Sequence, residues 1–402
     1  MNKKEKITLV PKLRFSEFNK EEAWEKTNIS DYLHESKVKG NKGDTAKKLT
    51  VKLWGQGVFE KKETLNGSEN TQYYRRKSGQ FIYSKLDFLN QAFGIIPDHL
   101  DGYESTVDLP CFDINENINA RFLLEYVQRT SFYKRYGEMA DGGRKARRIQ
   151  VDSFLEFPIY TPNLKEQQKI ADCLSSLDDL IHAEGKKLEA LKAHKKGLMQ
   201  KLFPAVGETV PEWRFPEFRG SGKWEISPLS EVCKNLDSRR VPIAEKDRKK
   251  GSTPYFGASG IVDYVDGFIF DELLLCVSED GANLISRTYP IAFSISGKTW
   301  VNNHAHVLKF ENNYTQVLVE SYLNNINLSE FLTGMAQPKL NRAKLDTIPI
   351  PLPKEKEQEK ITECLSALDT LITEQAEKIS NLKSHKKGLV QGLFPSIEEA
   401  GE

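Results

Sequence analysis

Glu166-Gln167-Gln168-Lys169-Ile170-Ala171-Asp172-Cys173-Leu174-Ser175-Ser176-Leu177-Asp178 returns later in the chain as Glu357-Gln358-Glu359-Lys360-Ile361-Thr362-Glu363-Cys364-Leu365-Ser366-Ala367-Leu368-Asp369. The copy runs on through His194-Lys195-Lys196-Gly197-Leu198 and His385-Lys386-Lys387-Gly388-Leu389. It ends at Leu202-Phe203-Pro204 and Leu393-Phe394-Pro395. The offset is 191 residues without a gap, and 23 of the 39 positions from 166 to 204 are identical. Shared helical composition alone does not produce that many matches, so this is an internal duplication. A shorter repeat precedes each copy at an offset of 200. There Pro11-Lys12-Leu13-Arg14-Phe15-Ser16-Glu17-Phe18 answers Pro211-Glu212-Trp213-Arg214-Phe215-Pro216-Glu217-Phe218, and Trp24-Glu25 answers Trp224-Glu225. The stretches between, about 30–160 and 230–350, are unlike each other. The layout is an entry segment, a variable domain and a helix, given twice: 1–160, 161–205, 206–353 and 354–402.

The duplicated segments carry a heptad seam. In the first it is Ile170, Leu174, Leu177, Ile181, Leu188, Leu191, Leu198 and Leu202, with Glu184 and Lys195 at the two remaining places. In the second it is Ile361, Leu365, Leu368, Ile372, Ile379, Leu382, Leu389 and Leu393, with Gln375 and Lys386 at the same two places. Pro162 and Pro353 precede the helices and Pro204 and Pro395 follow them, as helix-bounding prolines do. Each helix spans about 55 Å at 1.5 Å per residue. Burial of a seam leucine is worth roughly 1.5–3 kcal/mol, so the two helices should pair. A parallel pair sets Lys195 against Lys386. An antiparallel pair centred near residue 189 sets Glu184 against Lys386 and Lys195 against Gln375. Its apolar layers are Leu177 with Leu393, Ile181 with Leu389, Leu188 with Leu382, Leu191 with Ile379, Leu198 with Ile372 and Leu202 with Leu368. The antiparallel pair is the expectation; the alternative is that each helix packs on its own domain. Such a pair is a spacer that relates two domains by an approximate two-fold axis, a geometry suited to DNA read at two separated half-sites.

Length and composition set limits. A chain of 402 residues suggests two to three domains. No apolar run approaches the ~18 residues of a membrane span, and no signal core follows the basic start, so a cytoplasmic protein with no membrane contact is expected. The five cysteines include no CxxC pair, which argues against a disulfide framework and a zinc site. Net charge is +1, so any DNA footprint must come from local clusters.

Both variable domains read as mixed α/β, with short strands and many glycines suggesting a twisted, barrel-like sheet. Strands are expected over residues 52–59 and 79–83 in the first domain, and over 260–265, 272–277 and 306–310 in the second. Helices are expected over 121–127 and 317–323. Basic clusters in the first domain are Arg75-Arg76-Lys77 and Arg144-Lys145-Ala146-Arg147-Arg148. In the second they are Arg239-Arg240, Arg248-Lys249-Lys250 and the run from Lys339 to Lys344. Phosphate neutralisation needs such charges, although a charge run is more often a solvated surface.

Several catalytic motifs fail. Ser296-Gly297-Lys298-Thr299 resembles the end of a phosphate-binding loop, but Ala292 stands where the first glycine belongs. There is no Asn-Pro-Pro or Asp-Pro-Pro of an amino-methyltransferase and no GxGxxG before a helix. His304-Ala305-His306 could offer two imidazoles to a metal, without any accompanying carboxylate or cysteine motif. Asn302-Asn303-His304 reads instead as a polar hairpin or a loop facing nucleic acid, since asparagine pairs adenine through two bonds.

At this point the chain resembles a known family, the specificity subunits of type I restriction–modification enzymes. The resemblance covers about 11–395. Its markers are the Glu166–Ile170 motif and its copy, Gly257-Ala258-Ser259-Gly260-Ile261-Val262-Asp263-Tyr264-Val265, and Trp300-Val301-Asn302-Asn303-His304-Ala305-His306-Val307-Leu308. Met335-Ala336-Gln337-Pro338-Lys339-Leu340-Asn341 and Phe93-Gly94-Ile95-Ile96-Pro97 are further markers. The resemblance implies two target-recognition domains, each reading half of a bipartite double-stranded DNA site, with helices that set the gap. It implies two modification (methyltransferase) subunits and restriction (ATPase/nuclease) subunits as partners. S-adenosylmethionine, ATP and Mg would belong to those partners, with no cofactor, metal or catalysis in this chain. The Gly-Ala-Ser-Gly segment has no copy in the first domain, so the half-sites should differ. Candidate DNA contacts are Arg75, Arg76, Lys77, Arg144, Lys145, Arg147 and Arg148 in the first domain. In the second they are Arg239, Arg240, Lys249, Lys250, Ser259, Lys298, Asn302, Asn303, His304 and Lys339. Two competing readings, a single-chain restriction–methyltransferase and a helical scaffold without DNA binding, are opposed by the missing methyltransferase motifs and by the two unlike domains.

Overall fold

The computed structural model describes residues 8–62, 68–138, 148–205, 207–334 and 337–396. The chain divides into two compact units, Met1–Gly185 with Glu377–Glu402, and Lys186–Ala376. Each unit holds one variable domain and a part of both duplicated helices, which run Leu164–Leu202 and Glu355–Leu393.

In the first unit Glu184 binds Lys378 at 2.5 Å and Asp178 binds Lys386 at 2.8 Å. Numbering rises along one helix as it falls along the other, so the pair is antiparallel. In the second unit Lys195 binds Asp369 at 2.5 Å. The expected register is nevertheless wrong by one heptad. Glu184 does not meet Lys386 and Lys195 does not turn to Gln375. The layers Leu177 with Leu393, Ile181 with Leu389, Leu198 with Ile372 and Leu202 with Leu368 move with them. Leu393 and Leu389 instead enter one core with Ile170 and Leu174, and Leu202 and Leu198 one core with Ile361 and Leu365. The reason is energetic. The expected register would carry Ile170, Leu174, Ile361 and Leu365 past the end of the partner helix. All four are fully buried, at roughly 1.5–3 kcal/mol each. The lysines lose little in exchange, because a long side chain can reach sideways to a flanking carboxylate.

The entry segments explain their own repetition. Trp24–Asn28 pairs antiparallel with Pro158–Thr161, and Glu225–Pro228 with Pro349–Leu352. Each pair ends where a long helix begins. Arg14 grips Glu166 through Nε at 2.9 Å and Nη2 at 2.7 Å. Arg214 grips Glu357 in the same way at 2.8 and 2.5 Å. In the first unit the Trp24 indole adds a bond to Glu166 at 3.3 Å; among the described residues its counterpart Trp224 has no partner for its buried Nε1. The next residue ties the variable domain to the helix. The Gln167 side chain accepts from the Asn119 amide and donates to the Pro162 carbonyl. Gln358 accepts from the Thr315 hydroxyl and donates to the Pro353 carbonyl. The duplicated Glu-Gln motif is thus a structural clasp. Helix pairing and packing on the domain, posed as alternatives, coexist.

The first variable domain has a sheet in the order Leu33–Ser36, Cys111–Ile114, Phe81–Tyr83, Phe93–Ile95, closed by aromatic packing of Phe81, Phe88, Phe112 and Phe154. The strand expected over 52–59 is a hairpin, Leu49–Lys52 with Gly57–Glu60. Trp54, Gly55 and Gly57 at φ of +59°, +66° and +92° turn the chain there. Helix Ala120–Val127 is capped by Asn119, which accepts from the Phe122 amide.

The second domain has two four-stranded sheets. One runs Lys234–Asn235, Ala305–Lys309, Leu274–Ser278, Ala292–Ile295, and the other Gly260–Val265, Lys250–Gly257, Lys298–Val301, Phe270–Asp271. Helix Asn313–Asn325 packs on Ala292–Ile295. The sheets are small and open instead of the single barrel-like sheet expected.

Candidate nucleic-acid interface

In the second domain the segments holding Arg240, His304 and Lys339 meet around Glu279. Its amide donates to the His304 carbonyl at 2.9 Å and its carbonyl accepts from the Leu340 amide at 2.8 Å. Its carboxylate binds Arg240 at 2.8 Å and Lys339 at 3.3 Å. Arg240 also donates to the Ala305 carbonyl at 2.8 Å. Beneath them His306, 1% exposed, bonds Asp237 through Nδ1 at 2.6 Å and the Leu340 carbonyl through Nε2 at 2.7 Å. Both partners accept, so the ring fills both bonds only with a proton on each nitrogen. Burial opposes the charge on Asp237, but the bond and charge of His306, the Val307 amide and Arg240 hold its carboxyl below the usual carboxylate range.

This hub fixes a rim of exposed polar groups. Asn302–His304 is not a hairpin; it joins Lys298–Val301 in one sheet to Ala305–Lys309 in the other. Asn302 is buried and its Oδ1 accepts from the His304 amide at 2.8 Å. Asn303 projects outward. His304 is 53% exposed and bonds Asp280 at 2.8 Å. The tip of the Lys250–Gly257/Gly260–Val265 hairpin is tied to the same rim: Ser278 donates to the Ala258 carbonyl at 2.5 Å, and Ser259 meets the Tyr289 hydroxyl at 3.1 Å. At Gly257 a Cβ would lie 3.2 Å from the Asn302 side-chain nitrogen, so glycine leaves room for that amide.

The other candidates divide. Lys249, Lys250 and Lys298 are exposed, the last with its ammonium over the Phe268 ring. Arg239 is bound to Glu272 at 3.1 Å and lies over the Phe270 ring. Arg240 is half-buried and serves the hub through Glu279 and Asp237. Arg75 and Lys77 are exposed, but Arg76 between them is 2% exposed. Its guanidinium donates to Ser105 Oγ and to the carbonyls of Ser36 and Leu109, and burial holds its pKa below the ordinary value. Arg76, just past the strand Gln72–Arg75, is therefore a core residue. Arg148 is exposed with Asp108 at 3.6 Å; Arg144, Lys145 and Arg147 lie outside the described residues. His304 and His306 do not pair on a metal, and no cluster of three metal-ligating side chains occurs among the described residues. No helix among the described residues is long and apolar enough to cross a membrane. The sequence reading missed Glu279, Asp280 and Tyr289. Asp280-Gly281 was a visible turn signal, but nothing local marked Glu279 as the hub.

Comparison with known proteins agrees with this architecture. The model of the type I restriction modification DNA specificity domain matches residues 108–193 and 221–384. A protein of Haemophilus influenzae described as a type I restriction enzyme specificity subunit is 37% identical over 150 residues, covering 37% of this chain and 38% of that protein. The type I restriction enzyme MjaVIII specificity subunit of Methanocaldococcus jannaschii is 27% identical, covering 93% of this chain and 92% of that protein. Among solved structures, the type I restriction–modification S subunit of M. genitalium superposes with a TM-score of 0.61 at 14% identity, covering 97% of this chain and 100% of that one. A chain solved in work on assembly and conformational transition of the type I R-M system gives 0.56 at 14% identity, covering 92% and 97%. The chain therefore belongs to the family of type I restriction–modification DNA specificity subunits, the non-catalytic component of those systems.

Proposed function

We propose that this chain reads an asymmetric, bipartite site on double-stranded DNA, one half with each variable domain, while the paired helices set the gap between halves and dock two modification subunits. Restriction subunits join that assembly. S-adenosylmethionine, ATP and Mg are held by the partners, and the target base is adenine. The observation that carries the reading is a duplicated frame around unlike contents. The Arg–Glu clasp, the entry strand and the seamed helix occur twice, whereas the two domains differ in sheet order and core. A frame built twice suits two positions on one ligand, and contents built differently suit two sequences.

The test is to map methylated adenines in DNA from cells that hold this chain with its partners. The expected result is a two-part motif with unlike halves. Deleting residues 177–183, one heptad of the first helix, should change the permitted gap and leave both halves intact. A changed half-site, or methyl transfer by the isolated chain, would overturn the reading.

A further inference from the structure

A groove of about 1310 Å³ lies within the first unit, lined by the last turns of the helix ending at Leu393, by helix Thr130–Glu138 and by the turn at Trp54. Its charge is one-sided. Lys134, Lys383 and Lys387 line it and have no ion pair among the described residues. Glu125, one of its two carboxylates, is occupied by Arg121 and Lys386. Arg129 lies beneath the groove, 8% exposed, stacked on Tyr126 and Phe394 at 3.9 and 4.8 Å. It donates to the carbonyls of Tyr126 and Pro395, and among the described residues its Nη2 has no partner and no carboxylate pairs with it. Arg129 therefore adds positive charge at the floor of the groove.

Two further observations narrow the ligand. Lys383 and Lys387 recur in the other copy of the frame as Lys192 and Lys196. Lys386 and Lys195 have fold partners in Asp178 and Asp369, whereas Lys383 and Lys387 have none among the described residues, and Lys192 meets only its helix neighbour Glu189 at the exposed surface, so the charge of Lys383 and Lys387 is free to meet a ligand. What is common to two different half-sites is the phosphate backbone, not the bases. Second, Trp54 is 58% exposed at the groove, on a turn with φ +59°. Its amide donates to the Asn90 carbonyl at 2.7 Å and the Gly55 amide to the Gln91 carbonyl at 3.0 Å, and these hold the backbone at Trp54 in a conformation large residues avoid. An exposed indole on a tied turn beside unpaired lysines offers a stacking platform with an electrostatic track, as nucleic-acid grooves are built.

We propose that this groove is a second nucleic-acid contact, taking the phosphodiester backbone beside the half-site of the first domain without regard to sequence. The inference rests on the DNA-binding reading above. It is tested on the full chain without partner subunits, by titrating a duplex of unrelated sequence against salt. Each phosphate that the protein ceases to neutralise lowers the slope of log K against log salt by about 0.9. Lys134→Gln, Lys383→Gln and Lys387→Gln together should lower it by about 2–3. Lys20→Gln, Lys165→Gln and Lys223→Gln, three exposed lysines elsewhere, should leave it unchanged. Trp54→Ala should weaken binding without altering the slope. An unaltered slope in the groove variant, with the wild-type chain still binding DNA, overturns this inference and spares the function. No salt-dependent DNA binding by the wild-type chain overturns both. Unchanged DNA binding by the groove variant, with loss of its association with modification subunits in a parallel pull-down, would make the groove a seat for an acidic protein segment instead.

Discussion

Replacing Glu357 by glutamine removes the negative half of a buried ion pair and leaves the other half in place. The Arg214 and Glu357 side chains are 6% and 2% exposed, joined at 2.8 and 2.5 Å. Arg214 has one other acceptor, the Gly222 carbonyl at 2.6 Å. A guanidinium stripped of its carboxylate in such a place costs about 3–5 kcal/mol. At 1.4 kcal/mol per factor of ten, the entry segment should open about 100 to 4,000 times more often. A chain of two units need not unfold in one step, so the assay should be local. Hydrogen exchange at the Trp224 amide, bonded to the Thr209 carbonyl at 2.7 Å, and along Glu225–Pro228 reads that opening. The double variant Arg214→Met, Glu357→Leu removes both charges and should recover most of the protection. The reasoning is refuted if Glu357→Gln changes protection less than about threefold, or if the double variant is as open as the single one.

Three other outcomes are expected. Leu365→Ala, fully buried beside Ile361 and Leu202, should cost about 2–5 kcal/mol, against about 0.5 for Leu371→Ala on the exposed face; equal losses in denaturant melts would contradict the register. Asp237 ionises more readily folded than unfolded, so its charge stabilises above the ordinary value of about 3.9 and that stability fades as pH falls through the lowered value. The stability gap between wild type and Asp237→Asn should thus shrink as pH falls below about 4; urea melts in which it widens there would defeat the account. Arg76→Met should lower thermal stability and leave the salt slope of DNA binding alone, and Lys77→Gln should do the reverse.

The duplication was legible at once, because identity at a fixed offset needs no structure. The antiparallel sense was legible too, since like charges at Lys195 and Lys386 disfavour the parallel pair. The register was not. Heptads repeat, so a shift of seven keeps every seam residue in the seam. Flanking groups then decide, such as Asp178 and Asp369, together with Trp24, Phe122 and Trp224, which form cores with the helix ends. The basic clusters were similarly half-legible. Arg75, Arg76 and Lys77 look alike as a run of charges, yet one is buried and two are not.

The amino-acid order by itself determined the family, the twofold frame and the pairing of two long helices, because each is written in local periodicity or in repetition. Only the tertiary structure decided the register, the inward turn of Arg76, the tie of Arg240 to the hub, and the gathering of Ser259, Tyr289, Asn303, His304 and Lys339 around Glu279. These depend on hydrogen bonds between residues far apart in the chain, and such bonds leave no periodic trace.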